Sequence, residues 1–429
     1  MPIIIFFSVI FISLVLLSIP VAFSLGTASI FVYYLSGQPL GNIPMRIWTG
    51  LDKFSLIAIP FFILAGELMS TSGILERLMD FARLIIGRLK GGLLYINILV
   101  SMIFGGINGS AVADSSAVGC LLIPSSIDEY GDKELAASVT ASSSVVGPII
   151  PPSLPMLIYA FAAGNVSVAG LFLSGIVPGI LLGVGMMIST YFMIKNKNYP
   201  RIDVDYSTKE ILRIIRRFIL AAVLPIIIVG GIVGGIFTPT EAGCIAVFYA
   251  LFIGFFITKE LTFKKVYKNL IRSTIVSSIV LIMIAVANVV TWWLSIQGVP
   301  QIISNFFQQI TSSTNIFLFL MIILYLFVGL FIEAAAAIIM LVPVFLPVAM
   351  TYGVHPLQFG ILTVLGLLIG LVTPPVGLCL SIASSIAKTE IEKVFIKNLP
   401  LLAVQFGVLL IVAYFPELYL WVPRLFGFG

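Results

Sequence analysis

Charge is scarce in this 429-residue chain. Asp, Glu, Lys and Arg make up 10% of it, against about 25% in soluble proteins, which excludes an ordinary solvated domain. Histidine occurs once, as His355. No His-Glu-x-x-His stands anywhere, so metalloprotease chemistry lacks its ligands, and no Gly-x-x-x-x-Gly-Lys-Ser/Thr is present to hydrolyse ATP. The three cysteines, Cys120, Cys244 and Cys379, are far apart in apolar runs. Without a Cys-x-x-Cys they support neither a zinc site nor a redox pair, and they read as small hydrophobes in helices. Asn108-Gly-Ser-Ala-Val lacks the second glycine of a nucleophile elbow, and no histidine stands near to activate Ser110. The chain therefore does not read as an enzyme. Its net charge of +5 is no sign of nucleic-acid binding, because the basic residues fall between apolar segments.

What is abundant is hydrophobic sequence: 60% of residues, with a mean hydropathy of +1.18. The chain reads as an all-α polytopic membrane protein in a lipid bilayer. Apolar segments predict spans near 3–18, 20–35, 54–73, 135–162, 168–194, 218–236, 240–258, 272–296, 357–385 and 399–422. Segments 3–35 and 218–258 can each be read as one long bent helix or as two, with Pro20 and Pro239 at the breaks. No basic region precedes Pro2–Leu17 and no Ala-x-Ala-like site follows it, so the first segment is expected to stay as a span. If the loop 195–217 is cytoplasmic, alternation leaves all but three of the 23 Lys and Arg on that side. Arg46, Lys53 and Arg424 are the exceptions. The positive-inside rule expects such asymmetry, and it places both termini outside.

Two hydrophobic regions are interrupted. In the first, Gly92–Ile103 and Ala117–Ile127 flank a small, polar, glycine-rich stretch, Phe104–Gly119. Twelve and eleven residues are too few for a span of about 20, so the pair reads as a re-entrant hairpin. Non-helical backbone at membrane depth is tolerated only against protein or a water-filled cavity, so the stretch is expected to line a site. The second region is Ile316–Met350, with its own tip at Phe331–Ala337. Sliding the chain by 223 residues superposes the two, with nine identities in 49 positions. Gly106 meets Gly329, Ala111 meets Ala334, and Gly147-Pro-Ile-Ile-Pro-Pro meets Gly370-Leu-Val-Thr-Pro-Pro. A proline pair inside a span unwinds the helix and frees carbonyls. Each copy thus pairs a hairpin tip with a broken helix. Five spans per copy is odd, so the second copy is inverted. Inverted repeats with discontinuous helices at the midplane mark secondary transporters. Helical spacing also predicts amphipathic arms over Gly73–Gly91 and Val299–Ser313.

With Arg272, the first residue of the span 272–296, counted among the cytoplasmic loop charges, no Lys or Arg falls inside the predicted spans, so an anion must be met by helix N-termini and neutral donors. Asn108 or Ser110 can cap the half-helix starting near Ala111. Candidate substrate contacts are Asn108, Ser110, Asp114, Ser144, Ser153, Glu333 and Thr373. Carbonyl oxygens suit Na⁺, and two Na⁺ sites are expected. One comprises Gly106, Asn108, Gly109, Val145, Gly147 and Pro148; the other Gly329, Phe331, Ala334, Gly370, Thr373 and Pro374. Asp114, Glu241 and Glu333 are acids at membrane depth and functional candidates on that ground. Asp114 also reads as a brace of the tip, and Glu333 and Glu241 as helix caps. Glu67 reads as an interface residue. An ion channel or receptor-like membrane scaffold is the alternative, though compact tips are unlike the continuous polar rings of a pore.

Gly50-Leu-Asp-Lys-Phe-Ser-Leu-Ile-Ala-Ile-Pro-Phe-Phe-Ile-Leu-Ala-Gly-Glu-Leu-Met resembles a hallmark of the large membrane subunit of tripartite ATP-independent periplasmic (TRAP) transporters. Asn108-Gly-Ser-Ala-Val-Ala-Asp, Gly147–Ser153, Phe237-Thr-Pro-Thr-Glu-Ala-Gly and Thr373-Pro-Pro-Val-Gly do so too, in order along the chain. The resemblance implies an elevator-type transporter fold and Na⁺-driven import of an organic acid anion such as sialic acid or a C4-dicarboxylate. It implies two partners: a small four-span membrane subunit, here expected as a separate polypeptide, and a periplasmic substrate-binding protein. It implies no organic cofactor. The expected division is 1–73 scaffold, 74–91 arm, 92–162 first hairpin and broken helix, 163–217 scaffold or linker, 218–315 scaffold and second arm, 316–386 second hairpin and broken helix, and 387–429 final helix.

Overall fold

The computed structural model describes residues 2–17, 19–201 and 206–428. Among them there are twenty α-helices and no strand. In order they are α1 (Pro2–Leu16), α2 (Val21–Leu35), α3 (Asn42–Leu51), α4 (Ala58–Thr71), α5 (Ile74–Ile86), α6 (Gly92–Asn108), α7 (Ala111–Tyr130), α8 (Lys133–Ser143), α9 (Leu154–Ala163) and α10 (Val168–Ile194). They continue as α11 (Thr208–Val233), α12 (Pro239–Phe252), α13 (Phe263–Ile296), α14 (Val299–Ile310), α15 (Thr314–Gly329), α16 (Ala334–Thr351), α17 (Pro356–Gly370), α18 (Leu378–Ala387), α19 (Ile391–Tyr414) and α20 (Glu417–Leu425). Six of the described helical stretches are long and apolar enough to cross a bilayer, or up to eight if each bent pair counts as one.

The two ambiguous regions are pairs of helices. Phe7 and Tyr33 both reach the Trp292–Trp293 pair, so α1 and α2 fold back antiparallel. Tyr249 donates to the Leu220 carbonyl at 2.7 Å, which places α12 antiparallel to α11. The reversal before α12 is set by sequence: Thr238 and Glu241 form a reciprocal capping box with Pro239 in the first turn. Glu241 is thus an exposed capping acid.

Several boundaries differ from the hydropathy reading. α13 begins at Phe263, nine residues before the apolar segment, because Thr262 caps it through the Lys265 N–H. α11 likewise begins at Thr208, behind a Ser207–Glu210 capping box. Their basic residues are therefore helical. The last long helix lies at 391–414, because Phe415 leaves helical geometry ahead of Pro416, as a residue before proline tends to do. The amphipathic helix α3 has no counterpart in the spans read from sequence. Its Arg46 lies 4.3 Å from the centre of the Trp292 ring.

The basic connections converge at one end of the molecule. Lys197 pairs with Asp132, Lys90 donates to the Lys195 carbonyl, Tyr130 stacks on Tyr199, and Thr389 donates to Glu134. Both arms form, as α5 and α14. Phe81 of α5 stacks on Phe218 of α11 with ring centres 3.5 Å apart.

Candidate functional site between two hairpin tips

Each hairpin turns within a few residues. In the first, only Gly109 and Ser110 leave the helix. The polar stretch is otherwise helical, since its alanines and serines tolerate a helix once its ends are capped. Gly109 adopts φ +68° and donates to the Gly105 carbonyl at 2.6 Å, closing α6. Ser110 accepts from the Ala113 N–H and opens α7. In the second hairpin Glu333 takes the same place: its carboxylate accepts from the Ala335 N–H at 3.0 Å and opens α16.

Each hairpin lies against its broken helix through a glycine pair. A methyl on Gly105 would fall 2.4 Å from the Gly147 Cα, and one on Gly370 would fall 2.3 Å from the Gly329 carbonyl carbon. Only glycine permits these backbones to meet. The crossing glycine of the first copy is Gly105, one residue before the Gly106 that a uniform shift of 223 pairs with Gly329. Helix α8 ends at Ser143 and α9 begins at Leu154; α17 ends at Gly370 and α18 begins at Leu378. The two halves of the first pair meet at 46°. Both proline pairs are cis.

A cavity of about 610 Å³ lies between the tips. Asn108–Ala113 and Ser116 line it from the first hairpin, Phe331–Ala336 from the second, and Leu154, Pro155 and Leu371 from the broken helices. The first turns of α7 and α16 both form its wall. Their leading amide N–H groups lack intrahelical partners and carry the positive end of the helix dipole. The opposite wall belongs to α4 and α13, with Ile63, Glu67, Arg272, Val276 and Met283 among its residues.

The predicted site residues divide into two groups. Asn108, Gly109, Ser110, Phe331, Glu333 and Ala334 line the cavity. The others lie behind it, around the breaks. Asp114 is fully buried, and neither of its carboxylate oxygens has a hydrogen-bond partner among the described residues; Ser101 and Ser144 stand beside it. Ser144 donates to the Thr140 carbonyl at 2.8 Å. Ser153 caps α9 and donates to the Pro148 carbonyl, so one carbonyl expected to face a cation already has a partner. Thr373 donates to the Ile369 carbonyl at 3.0 Å. Gly106, Val145, Gly147, Gly329 and Gly370 are buried, and Pro374 is half-buried.

A buried polar network joins the two breaks. Ser142 donates to Asn398 Oδ1 at 2.6 Å, Asn398 donates to the Val372 carbonyl at 3.4 Å, and Gln405 donates to the Ser142 carbonyl at 3.1 Å. Sequence reasoning missed Asn398 and Gln405. Gln405 inside the predicted span 399–422 and Asn398 at its edge were the available signal. It also missed Arg272, which it assigned to a loop. Among the described residues no three His, Cys, Asp or Glu side chains converge to hold a metal.

The chain's relatives match along most of its length. The family model for the DctM component of the tripartite ATP-independent periplasmic transporter matches residues 8–418. The sialic acid TRAP transporter large permease protein SiaM of Vibrio cholerae is 36% identical, over 96% of this chain and 96% of that protein. The 2,3-diketo-L-gulonate TRAP transporter large permease protein YiaN of Escherichia coli is 33% identical over 94% of each. The C4-dicarboxylate TRAP transporter large permease protein DctM of Rhodobacter capsulatus is 32% identical over 97% and 98%. Among solved structures, the YdaH transporter of Alcanivorax borkumensis, described as having an unusual topology, aligns with a TM-score of 0.59 over 89% of this chain and 88% of that one. At 15% identity that likeness concerns the fold, and it agrees with the elevator-type architecture that the family resemblance implied. With the family matched across 8–418, the chain belongs to the large permease proteins of TRAP transporters, the DctM family.

Proposed function

We propose that this permease carries an organic acid anion across the bacterial inner membrane, driven by Na⁺, by an elevator movement of the two hairpins and broken helices against the scaffold. The observation that carries the reading is the cavity walled by the first turns of both α7 and α16. Of the two helix N-termini facing this space, that of α7 is capped by the neutral Ser110 and favours an anion without a fixed cation on the hairpins, while that of α16 already holds the Glu333 carboxylate. Relatives named for sialic acid and C4-dicarboxylate transport support a carboxylate substrate.

The donor set fits Na⁺. The wound-out segments 144–153 and 371–377 place backbone carbonyls beside the glycine crossings, and neutral oxygen ligands suit such a cation in transporters. Val145, Gly147 and the tip residues Gly106, Asn108 and Gly109 would hold one ion. Gly329, Phe331, Ala334, Gly370, Thr373 and Pro374 would hold the second. Pro148 and Gly147 are the weaker members of the first set and Gly370 of the second, since Ser153, the Ile150 N–H and the Thr373 N–H already occupy their carbonyls. Bound there, Na⁺ would supply positive charge that fixes each tip against its broken helix. The residues facing the cavity then bind and orient the anion.

The partners are a small four-span membrane subunit, seated on the scaffold, and a periplasmic binding protein that delivers the solute. With the converged basic loops taken as the cytoplasmic end, both termini would lie in the periplasm. Co-reconstitution of the three proteins in proteoliposomes tests this reading. Uptake of N-acetylneuraminate or succinate is expected only with the binding protein and an inward Na⁺ gradient. Ion currents without either would favour a channel instead.

A further inference from the structure

A second cavity, of about 430 Å³, adjoins the first. The two share two residues, Glu67 of α4 and Arg272 of α13. These form an ion pair, Arg272 Nε to Glu67 Oε1, at 3.2 Å. The second cavity opens toward the basic end: Lys265 and Lys268 line it, with Glu76 and Glu260 as the opposing carboxylates. Leu121 of α7 closes its far wall. Both cavities thus run between the first hairpin and the scaffold, and the ion pair stands where they meet.

Arg272 is the one Lys or Arg in the wall of the central cavity among the described residues. Its side chain remains about two-thirds exposed, whereas that of Glu67 is 14% exposed. Its Nε faces Glu67, and the exposure of the side chain keeps the guanidinium open to a second anion. Asn269, one turn earlier, fixes the geometry by donating to Thr71 Oγ1 at 2.6 Å and to the Glu67 carbonyl at 3.3 Å. Guanidinium is suited to this task, since its planar fork takes a carboxylate bidentately.

We propose that the Glu67–Arg272 pair is a gate and transient anion subsite on the route between the central cavity and the basic end. A carboxylate leaving the tips replaces Glu67 on Arg272 and then passes into the second cavity. The gate belongs to the scaffold, so it stays in place while the hairpins move. The assignment rests on the organic-anion reading, but its test does not require the physiological solute.

Ser116 lines the central cavity and is exposed there. With Cys120→Ala and Cys244→Ala removing the exposed native thiols, Ser116→Cys gives a reporter. The full transporter in sealed vesicles is treated, from the side bearing the basic loops, with anionic 2-sulfonatoethyl and cationic trimethylammonioethyl methanethiosulfonate. The anionic reagent is expected to react faster relative to the cationic one. Arg272→Gln should reduce that ratio roughly tenfold, the lower end of electrostatic focusing in a charged cleft. Arg272→Lys should retain most of the preference, and Glu67→Gln should raise it. If Arg272→Gln leaves the ratio unchanged, or slows both reagents equally, the gate is refuted. Should Na⁺-driven uptake fail while the ratio still responds to Arg272, the gate stands and the coupling reading alone falls.

Discussion

Replacing Gly105 by alanine puts a methyl 2.4 Å from the Cα of Gly147. Carbon atoms in contact stand about 3.5–4.0 Å apart, so the hairpin must lift from the broken helix by roughly 1 Å. The clash is backbone against backbone, with no flexible side chain to give way. Overpacking of this kind costs about 1–3 kcal/mol. The movement also separates α6 from the carbonyls of the first break. If those carbonyls hold Na⁺, the strain appears as lost ion affinity, about tenfold per 1.4 kcal/mol. Gly407→Ala serves as control, because a methyl there meets nothing within 4 Å. Thermal stability and the Na⁺ concentration for half-maximal uptake are measured in both. Gly105→Ala should lower the first and raise the second roughly tenfold, and Gly407→Ala should change neither by a comparable amount. Wild-type values for Gly105→Ala would refute the close crossing and its link to the ion. Gly370→Ala, with its methyl 2.3 Å from Gly329, should reproduce the defect in the second copy.

Asp114→Ala should impair uptake without preventing membrane insertion; wild-type uptake would show that this buried carboxylate is idle. Changing Pro374 and Pro375 together to alanine should rewind the second break and lower uptake at least tenfold, read in the same vesicles against protein content by immunoblot. Asp132 caps α8 through the Leu135 N–H and pairs with Lys197. Burial pushes its carboxyl upward, but the Lys197 contact and the Leu135 N–H outweigh this and hold it below the usual carboxylate range. Its stabilisation is therefore present above about pH 4 and lost as pH falls through the depressed value. Asp132→Ala should cost about 1 kcal/mol at neutral pH, with a difference from wild type that shrinks in acid, followed by thermal melts across pH.

The hairpins and breaks were legible because each leaves a coarse mark. An apolar run too short to span and a proline pair in mid-membrane both show without any tertiary information. The caps were legible in part: Glu333 follows from an acid ahead of an alanine run, and Ser110 was one of two candidates with Asn108. What stayed hidden depends on distance across the fold. Nothing local distinguishes Gly105 from Gly106 as the crossing residue, since only the rotation of α6 against Gly147 decides it. Arg272 looked like the end of a basic loop because hydropathy cannot see that the helix capped by Thr262 starts nine residues earlier, at Phe263. Asn398 carries no local signal of its role, since only its bond to Ser142 places it between the two breaks. Whether α1 and α2 fold back could not be read from Pro20, since a proline kinks a long helix or separates two with equal ease.

The account rests most heavily on coupled movement of a carboxylate and Na⁺ through the cavity between the tips. Simultaneous measurement of radiolabelled sodium and radiolabelled N-acetylneuraminate or succinate in one proteoliposome preparation, with the small subunit and binding protein present, tests it most directly. The account predicts that the two enter together and that replacing sodium with choline abolishes solute accumulation. Solute accumulation unaltered in the absence of sodium would contradict it.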